Sequence, residues 1–242
     1  MSKFELIYFP IHARGLSTRI MLQIGKADWV NTYPDWPMEK PNTPYGRLPV
    51  LVETKEDGSK FTLVESRAIE VYLANKFGLL PNDDSEKAKC LEYVSQSFDL
   101  IEGYCNVILF KVRTRNEFGI DHEGFHKKPE ECTTNFDFYV AQNLVHLHKV
   151  LSNSTEFFLK KHEQILSKSK SVYYLGDSIT YADIALYQAY ADLKTIDHIH
   201  QFDSAKYPNV MKLIETLESN KDVVADVEKY DVNPYTYFNL PQ

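Results

Sequence analysis

Leu48-Pro49-Val50-Leu51-Val52, with Phe61-Thr62-Leu63-Val64-Glu65-Ser66-Arg67-Ala68-Ile69 soon after it, decides the reading of this chain. Two short apolar runs flank residues 53–60, where Asp57-Gly58 marks a hairpin turn. Ser66 then opens a helix through Phe77, with Ala68, Ile69, Tyr72 and Leu73 on one face and Gly78 as its stop. Upstream, Phe4-Glu5-Leu6-Ile7-Tyr8-Phe9 reads as a strand broken by Pro10. From about Leu16, the residues Leu16, Ile20, Leu22 and Ile24 predict a helix with Ser17 or Thr18 near its start and Gly25 near its stop. Trp29 to Tyr33 is a short strand, and Pro34, Pro37, Pro41 and Pro44 bar a regular helix from residues 34–47. The order is strand, helix, strand, loop, hairpin, helix. That predicts an α/β unit, a small mixed sheet with helices, over residues 1–80.

After Pro81-Asn82-Asp83-Asp84 the pattern becomes helical throughout, giving an all-α domain over residues 85–242. Helices are expected at 85–112, 134–152 with a continuation to 166, 180–196, 207–219 and, briefly, after Asn220. Residues 113–133 are charged and hold Gly119, Gly124 and Pro129, so they read as a loop or a broken helix. In Ile179-Thr180-Tyr181-Ala182-Asp183-Ile184, Thr180 caps a helix, Asp183 stands at the third helical position, and the two Ile flank the turn. This is a capping box with a hydrophobic staple, the start of a buried helix rather than a chemical site.

Hydrophobic residues make up 43% of the chain, enough for a packed core. The net charge of -7 argues against nucleic acid and anionic membranes as partners. No apolar run reaches the ~20 residues of a membrane span, and Met1-Ser2-Lys3-Phe4-Glu5-Leu6 lacks a signal-peptide layout. Cys90, Cys105 and Cys132 are an odd number without metal-ligand spacing. A reducing, cytoplasmic setting and no metal are the expectations, and the helical placement of Cys90 and Cys105 predicts buried, inert thiols.

Tyr8 at the end of the first strand, Trp36 and Lys40 in the Pro-rich loop, Gly46-Arg47-Leu48-Pro49-Val50 entering the third strand, and Glu65-Ser66-Arg67-Ala68-Ile69 after the fourth form a linked set. With these residues the chain resembles the cytosolic glutathione S-transferases of the Tyr type, and within them the sigma class, which includes prostaglandin D synthases. The resemblance covers the first 78 residues closely, and the capping box at Thr180 fits the family's helical domain. It implies the glutathione transferase fold: a thioredoxin-like N-terminal domain that binds glutathione, followed by a helical domain with the electrophile site. It also implies a homodimer.

The resemblance assigns roles. Tyr8 donates to the thiolate of glutathione, and Arg14 supports it. A free thiol with a pKa near ~8.5 is only about 3% ionised at pH 7. A hydrogen bond to a charged group contributes roughly 1.5–3 kcal/mol, so a phenol donor lowers the thiol pKa by roughly 1 to 2 units. Leu48, before a cis Pro49, binds the cysteinyl backbone, with Arg47 beside it. Ser66 and the free amides of its turn hold the γ-glutamyl carboxylate. Glu65 stands where the sigma class has Gln, and its carboxylate suits the ligand's ammonium. Lys40 meets the glycyl carboxylate under Trp36, and Asp99 reaches the ligand of the partner subunit. Ile11, His12, Ala13, Val107, Ile108 and Phe110 are the candidates for an apolar electrophile pocket.

The expected function is attack of activated glutathione on a small apolar electrophile. A glutathione-dependent prostaglandin-type isomerase is the rival among enzymes. A non-catalytic glutathione-binding or structural relative is the rival outside them. A thiol–disulfide oxidoreductase is excluded, because it needs a cysteine near the end of the first strand and the first cysteine is Cys90.

Overall fold

Alternation builds the first strand: in β1 (Lys3–Ile7), Phe4 and Leu6 turn into the core while Lys3 stays exposed. A computed structural model of the chain describes residues 2–36, 38–118, 123–196, 198–225, 227–230 and 232–238, the side chains of 116–118, 123 and 228 excepted. Helix α1 (Leu16–Ile24) returns the chain to β2 (Asp28–Thr32), which pairs parallel with β1. Strands β3 (Val50–Thr54) and β4 (Lys60–Val64) form an antiparallel hairpin, and β3 pairs antiparallel with β1. The sheet order is β2-β1-β3-β4, the mixed sheet of the thioredoxin-like unit. Helix α2 (Ser66–Lys76) ends with the Leu79 N–H on the Ala74 carbonyl at 2.8 Å and the Phe77 N–H on that of Leu73 at 2.9 Å.

The rest is helical: α3 (Asp84–Phe118), α4 (Asn135–Leu166), α5 (Tyr181–Thr195), α6 (Pro208–Glu218), α7 (Lys221–Val224) and α8 (Pro234–Tyr237). Among the described residues no helix is long and apolar enough to cross a membrane. The capping box is as read: the Thr180 N–H and hydroxyl both donate to Asp183 at 2.7 Å. The second Asp183 oxygen accepts the Tyr174 N–H at 2.9 Å, so this carboxyl also ties down the preceding loop.

The starts of α1 and α2 are as read, and the end of α3 is corrected. Helix α1 starts at Leu16, as read, with Gly15 as its cap, and Ser17 and Thr18 lie buried inside its first turn. Ser66 opens α2 as read, being its first helical residue, with Glu65 as the cap. Helix α3 runs past residue 112 to Phe118, because Lys111 and Thr114 are covered there: the Lys111 ammonium sits 4.1 Å from the centroid of the Tyr235 ring in the C-terminal segment. In the 113–133 connection, Gly119 lies outside the described residues. Phe125 packs on Val140 and Leu144 of α4. Gly124 allows this approach, since a Cβ there would lie 2.2 Å from the Asp137 carbonyl oxygen.

The two units share buried polar links. The Tyr181 N–H donates to the Leu79 carbonyl at 2.8 Å, and its hydroxyl donates to Glu70 of α2 at 2.5 Å. Burial pushes the Glu70 carboxyl up to about 8, against the pull of Tyr181 and Arg67. A carboxyl whose folded pKa lies above its unfolded one stabilises the fold while protonated and loses that contribution as pH rises through the folded pKa. Glu70→Gln keeps an acceptor for Tyr181 and cannot ionise. Its urea midpoint is therefore expected to gain on wild type as pH rises from about 5 to about 9; a gap that stays constant with pH would show that Glu70 does not carry this linkage.

Candidate active site

The loop after β1 is built around a buried cation. Arg19 of α1 is fully enclosed. Its guanidinium donates to the Phe9 carbonyl at 2.6 Å, the Ile11 carbonyl at 2.7 Å and Asn31 Oδ1 at 2.9 Å. It also lies 3.9 Å from the centroid of Tyr230 and 5.6 Å from that of Tyr8. Sequence reasoning passed over Arg19. The available signal was its setting, since Leu16, Ile20, Met21 and Leu22 enclose α1 on all sides.

Tyr8 extends the parallel pairing, with its N–H on the Thr32 carbonyl at 3.1 Å. Its ring is buried against Gly15, where a Cβ would come within 2.4 Å of the ring. The Tyr8 oxygen accepts the Arg14 N–H at 3.2 Å. Burial, and then Cys105, push the Tyr8 phenol far above its ordinary range, while Arg19 and the Arg14 N–H pull against them. Tyr8 therefore keeps its proton and is a donor. The Arg14 guanidinium turns away to Glu102 at 2.7 Å. Burial pushes the Cys105 thiol beside it up to about 12, so that thiol is inert.

Arg14, Arg47, Leu48, Pro49, Glu65 and Ser66 line one cleft. The Leu48–Pro49 bond is cis, as the resemblance implied. The register ends at Ile7↔Val50 and Val50↔Val64, so the Leu48 backbone lies beyond the sheet ladder. Glu65 has φ 71° and ψ 114°, a strained backbone for a residue with a side chain. It turns the chain so that α2 begins at the cleft without a side-chain cap. The first helical bond runs from the Ile69 N–H to the Glu65 carbonyl at 3.0 Å, which leaves the earlier amides outside the helix ladder. An open helix N-terminus beside two arginines fits an anionic ligand such as a carboxylate.

Trp36 packs edge-on against Phe9, with centroids 5.9 Å apart, and the Lys40 ammonium is 5.8 Å from the Trp36 centroid. Asp99 is exposed beside a groove between α3 and α4 that Gln96, Asn153 and Phe157 also line. Of the electrophile candidates, Ile11, His12, Ala13 and Ile108 are buried in the molecule's interior, and a His12 ring nitrogen is 3.0 Å from the Val227 carbonyl oxygen. Val107 is fully enclosed in the main core. Phe110 belongs elsewhere: it packs with Phe125, Val140 and Leu144 on the α4 side, because it falls on another face of α3 than Cys105. Phe9, Tyr237 and Phe238 form an aromatic cluster beside Tyr8: the Phe9 centroid is 5.7 Å from that of Tyr8, 5.9 Å from that of Tyr237 and 5.8 Å from that of Phe238. The Arg115 guanidinium holds the Phe238 carbonyl.

Comparison with known proteins gives three kinds of likeness. The family model "Glutathione S-transferase, C-terminal domain" matches residues 133–229. Glutathione S-transferase 4 of Caenorhabditis elegans is 31% identical over 190 residues, covering 77% of this chain and 78% of that protein. The solved sigma class GST of Fasciola hepatica superposes with a TM-score of 0.69 at 21% identity, covering 96% and 99% of the two chains. A glutathione transferase of Burkholderia graminis, with two glutathione molecules bound per subunit, superposes with a TM-score of 0.67 at 18% identity, covering 93% and 88%.

The Phe9 stack joins the C-terminal segment to the loop after β1. Phe9→Ala removes the ring that Trp36, Tyr237 and Phe238 share, at a cost of about 1–2 kcal/mol for a half-buried side chain. Limited proteolysis at 232–238 is expected to speed up about tenfold, and unchanged cleavage would show that the segment is held by other contacts.

Proposed function

The chain belongs to the glutathione S-transferase family, and from that premise we propose that Tyr8 activates the thiol of bound glutathione for attack on a small apolar electrophile. One observation carries the assignment: the Tyr8 oxygen already accepts the Arg14 N–H, so its own proton is directed elsewhere, and its raised pKa keeps that proton in place. Glutathione is the co-substrate. Its γ-glutamyl carboxylate sits at the open N-terminus of α2, on Ser66 and the adjoining amides. Glu65 takes its ammonium, and the Leu48 backbone pairs with its cysteinyl residue. Arg47, Lys40 and Trp36 hold the glycyl end.

The Tyr8 O–H donates to the sulfur anion, and the thiol proton passes to solvent. Thiolate attack on an electrophilic carbon forms a thioether and expels the leaving group. A buried donor strengthens this step, since it meets the charge in a medium of low dielectric constant. Phe9, Tyr237 and Phe238 form the apolar wall for the electrophile, and their aromatic rings suit a flat, aromatic substrate consistent with detoxification.

The sigma-like assignment rests on the Tyr8 and Arg14 pairing and on the likeness to the Fasciola hepatica protein. A cytoplasmic homodimer follows from the same family reading. In it, the exposed face of α3 and α4 is covered by a second copy, which supports burial of Phe157, now 61% exposed, and brings Asp99 to the neighbouring ligand.

Turnover of a general aromatic electrophile, followed from about pH 6 to about pH 9, tests the assignment. Tyr8→Phe is expected to raise the apparent thiol pKa by roughly 1 to 2 units while glutathione still binds. Glutathione binding with no turnover of any electrophile would instead establish a binding protein.

A further inference from the structure

Ala13 takes φ 39°, a left-handed backbone that alanine rarely adopts. Both hydrogen-bonding atoms of this residue are held by α5. Its N–H donates to Asp192 Oδ1 at 2.7 Å, and its carbonyl accepts from Gln188 Nε2 at 2.5 Å. Gln188 and Asp192 are one helical turn apart and fully buried. Gln188 Oε1 in turn accepts the Ser17 N–H at 3.3 Å and the Ser17 hydroxyl, so the clamp is fixed to α1 as well. The next residue is Arg14, whose N–H meets the Tyr8 oxygen.

A phenol that accepts a hydrogen bond donates its own proton more strongly, and its O–H is turned away from the donor that it accepts. The orientation of the Arg14 N–H therefore sets the orientation of the Tyr8 proton, and the Ala13 peptide sets the orientation of the Arg14 N–H. Left alone, Ala13 relaxes to a negative φ and carries that N–H off the phenol.

We propose that Asp192 and Gln188 are positioning residues for the transferase reaction: by gripping Ala13 from the helical domain, they hold the Arg14 N–H on Tyr8 and leave the Tyr8 proton for the sulfur. The inference rests on the reading of Tyr8 as the thiolate's donor. A link whose only work is to join the two units has no need of a strained alanine, and Glu70 with Tyr181 makes such a link through side chains.

The test uses the full chain with glutathione bound and reads the thiol pKa from the ultraviolet absorbance of the thiolate, together with kcat and KM for glutathione. Asp192→Asn retains an oxygen for the Ala13 N–H and is expected to stay within about 0.3 unit of wild type or below it. Asp192→Ala is expected to raise the thiol pKa by about one unit, which lowers kcat about tenfold below neutral pH, with KM changed less than about twofold. If Asp192→Ala does not fold, Gln188→Met removes the other half of the grip at similar volume and carries the same expectation. In the Tyr8→Phe background, Asp192→Ala should add no further shift. Equal shifts in the Asn and Ala variants, an undiminished shift without the Tyr8 hydroxyl, or a folded Ala variant with the wild-type pKa would each overturn the proposal. A Tyr8→Phe chain with the wild-type pKa refutes the role of Tyr8 itself, and the positioning role falls with it.

Discussion

A bare guanidinium in a protein interior is one of the least tolerable groups a fold can hold. Arg19 is tolerated only because the chain wraps around it. Two carbonyls of the loop after β1, the Asn31 amide oxygen and the faces of Tyr8 and Tyr230 surround the charge. The dependence is mutual. The loop holds no regular structure before Ala13 and would have unpaired carbonyls without the cation. Tyr8 stands at the mouth of that loop, and at its phenol the Arg19 charge pulls against the burial and the Cys105 thiol that hold its proton in place.

The second requirement is that the two units meet through acids that prefer to be neutral. Burial pushes Asp192 up to about 7, opposed by the Ala13 N–H and Gln188, and pushes Glu70 to about 8. Asp183, which anchors the start of α5, is raised to about 6 by its burial. All three lie on or against α5, and all three lose stabilising effect as pH rises through these values. The Ala13–Asp192 and Tyr181–Glu70 contacts between the sheet unit and the helical unit, and the start of α5 at Asp183, are thus held best under mildly acidic conditions. Thiolate chemistry gains from higher pH. Near neutrality Asp183 and Asp192 have already given up most of that contribution and Glu70 keeps part of its own, while a lowered thiol pKa supplies the anion.

What the sequence disclosed follows from how local each signal is. The hairpin at Asp57-Gly58, the capping box at Thr180 and the helix stop at Gly78 are written within a few residues and were legible. The linked set from Tyr8 to Ser66 was legible as a family pattern, and the cleft does unite Arg14, Arg47, Leu48, Pro49, Glu65 and Ser66. What escaped depends on distant partners. Arg19 looks like a surface cation until its loop is in place. The extension of α3 depends on Tyr235 covering Lys111, more than a hundred residues later in the chain. Phe110 was misplaced because apolar character on a long helix does not say which of two neighbouring cores a face meets.

The grip on Ala13 also bears on the order of synthesis. Asp192 lies 179 residues beyond the peptide that it holds, and Val227 lies 215 beyond His12. At ~5–20 residues per second, a ribosome needs roughly 10–40 s to supply the first of these after the loop has emerged. Through that interval the sheet and its hairpin have what they need to form, and Arg19 is in place, but the Tyr8 loop lacks these two anchors. A chain released early would carry a glutathione cleft without a set phenol, so competence for chemistry arrives with the last third of the polypeptide.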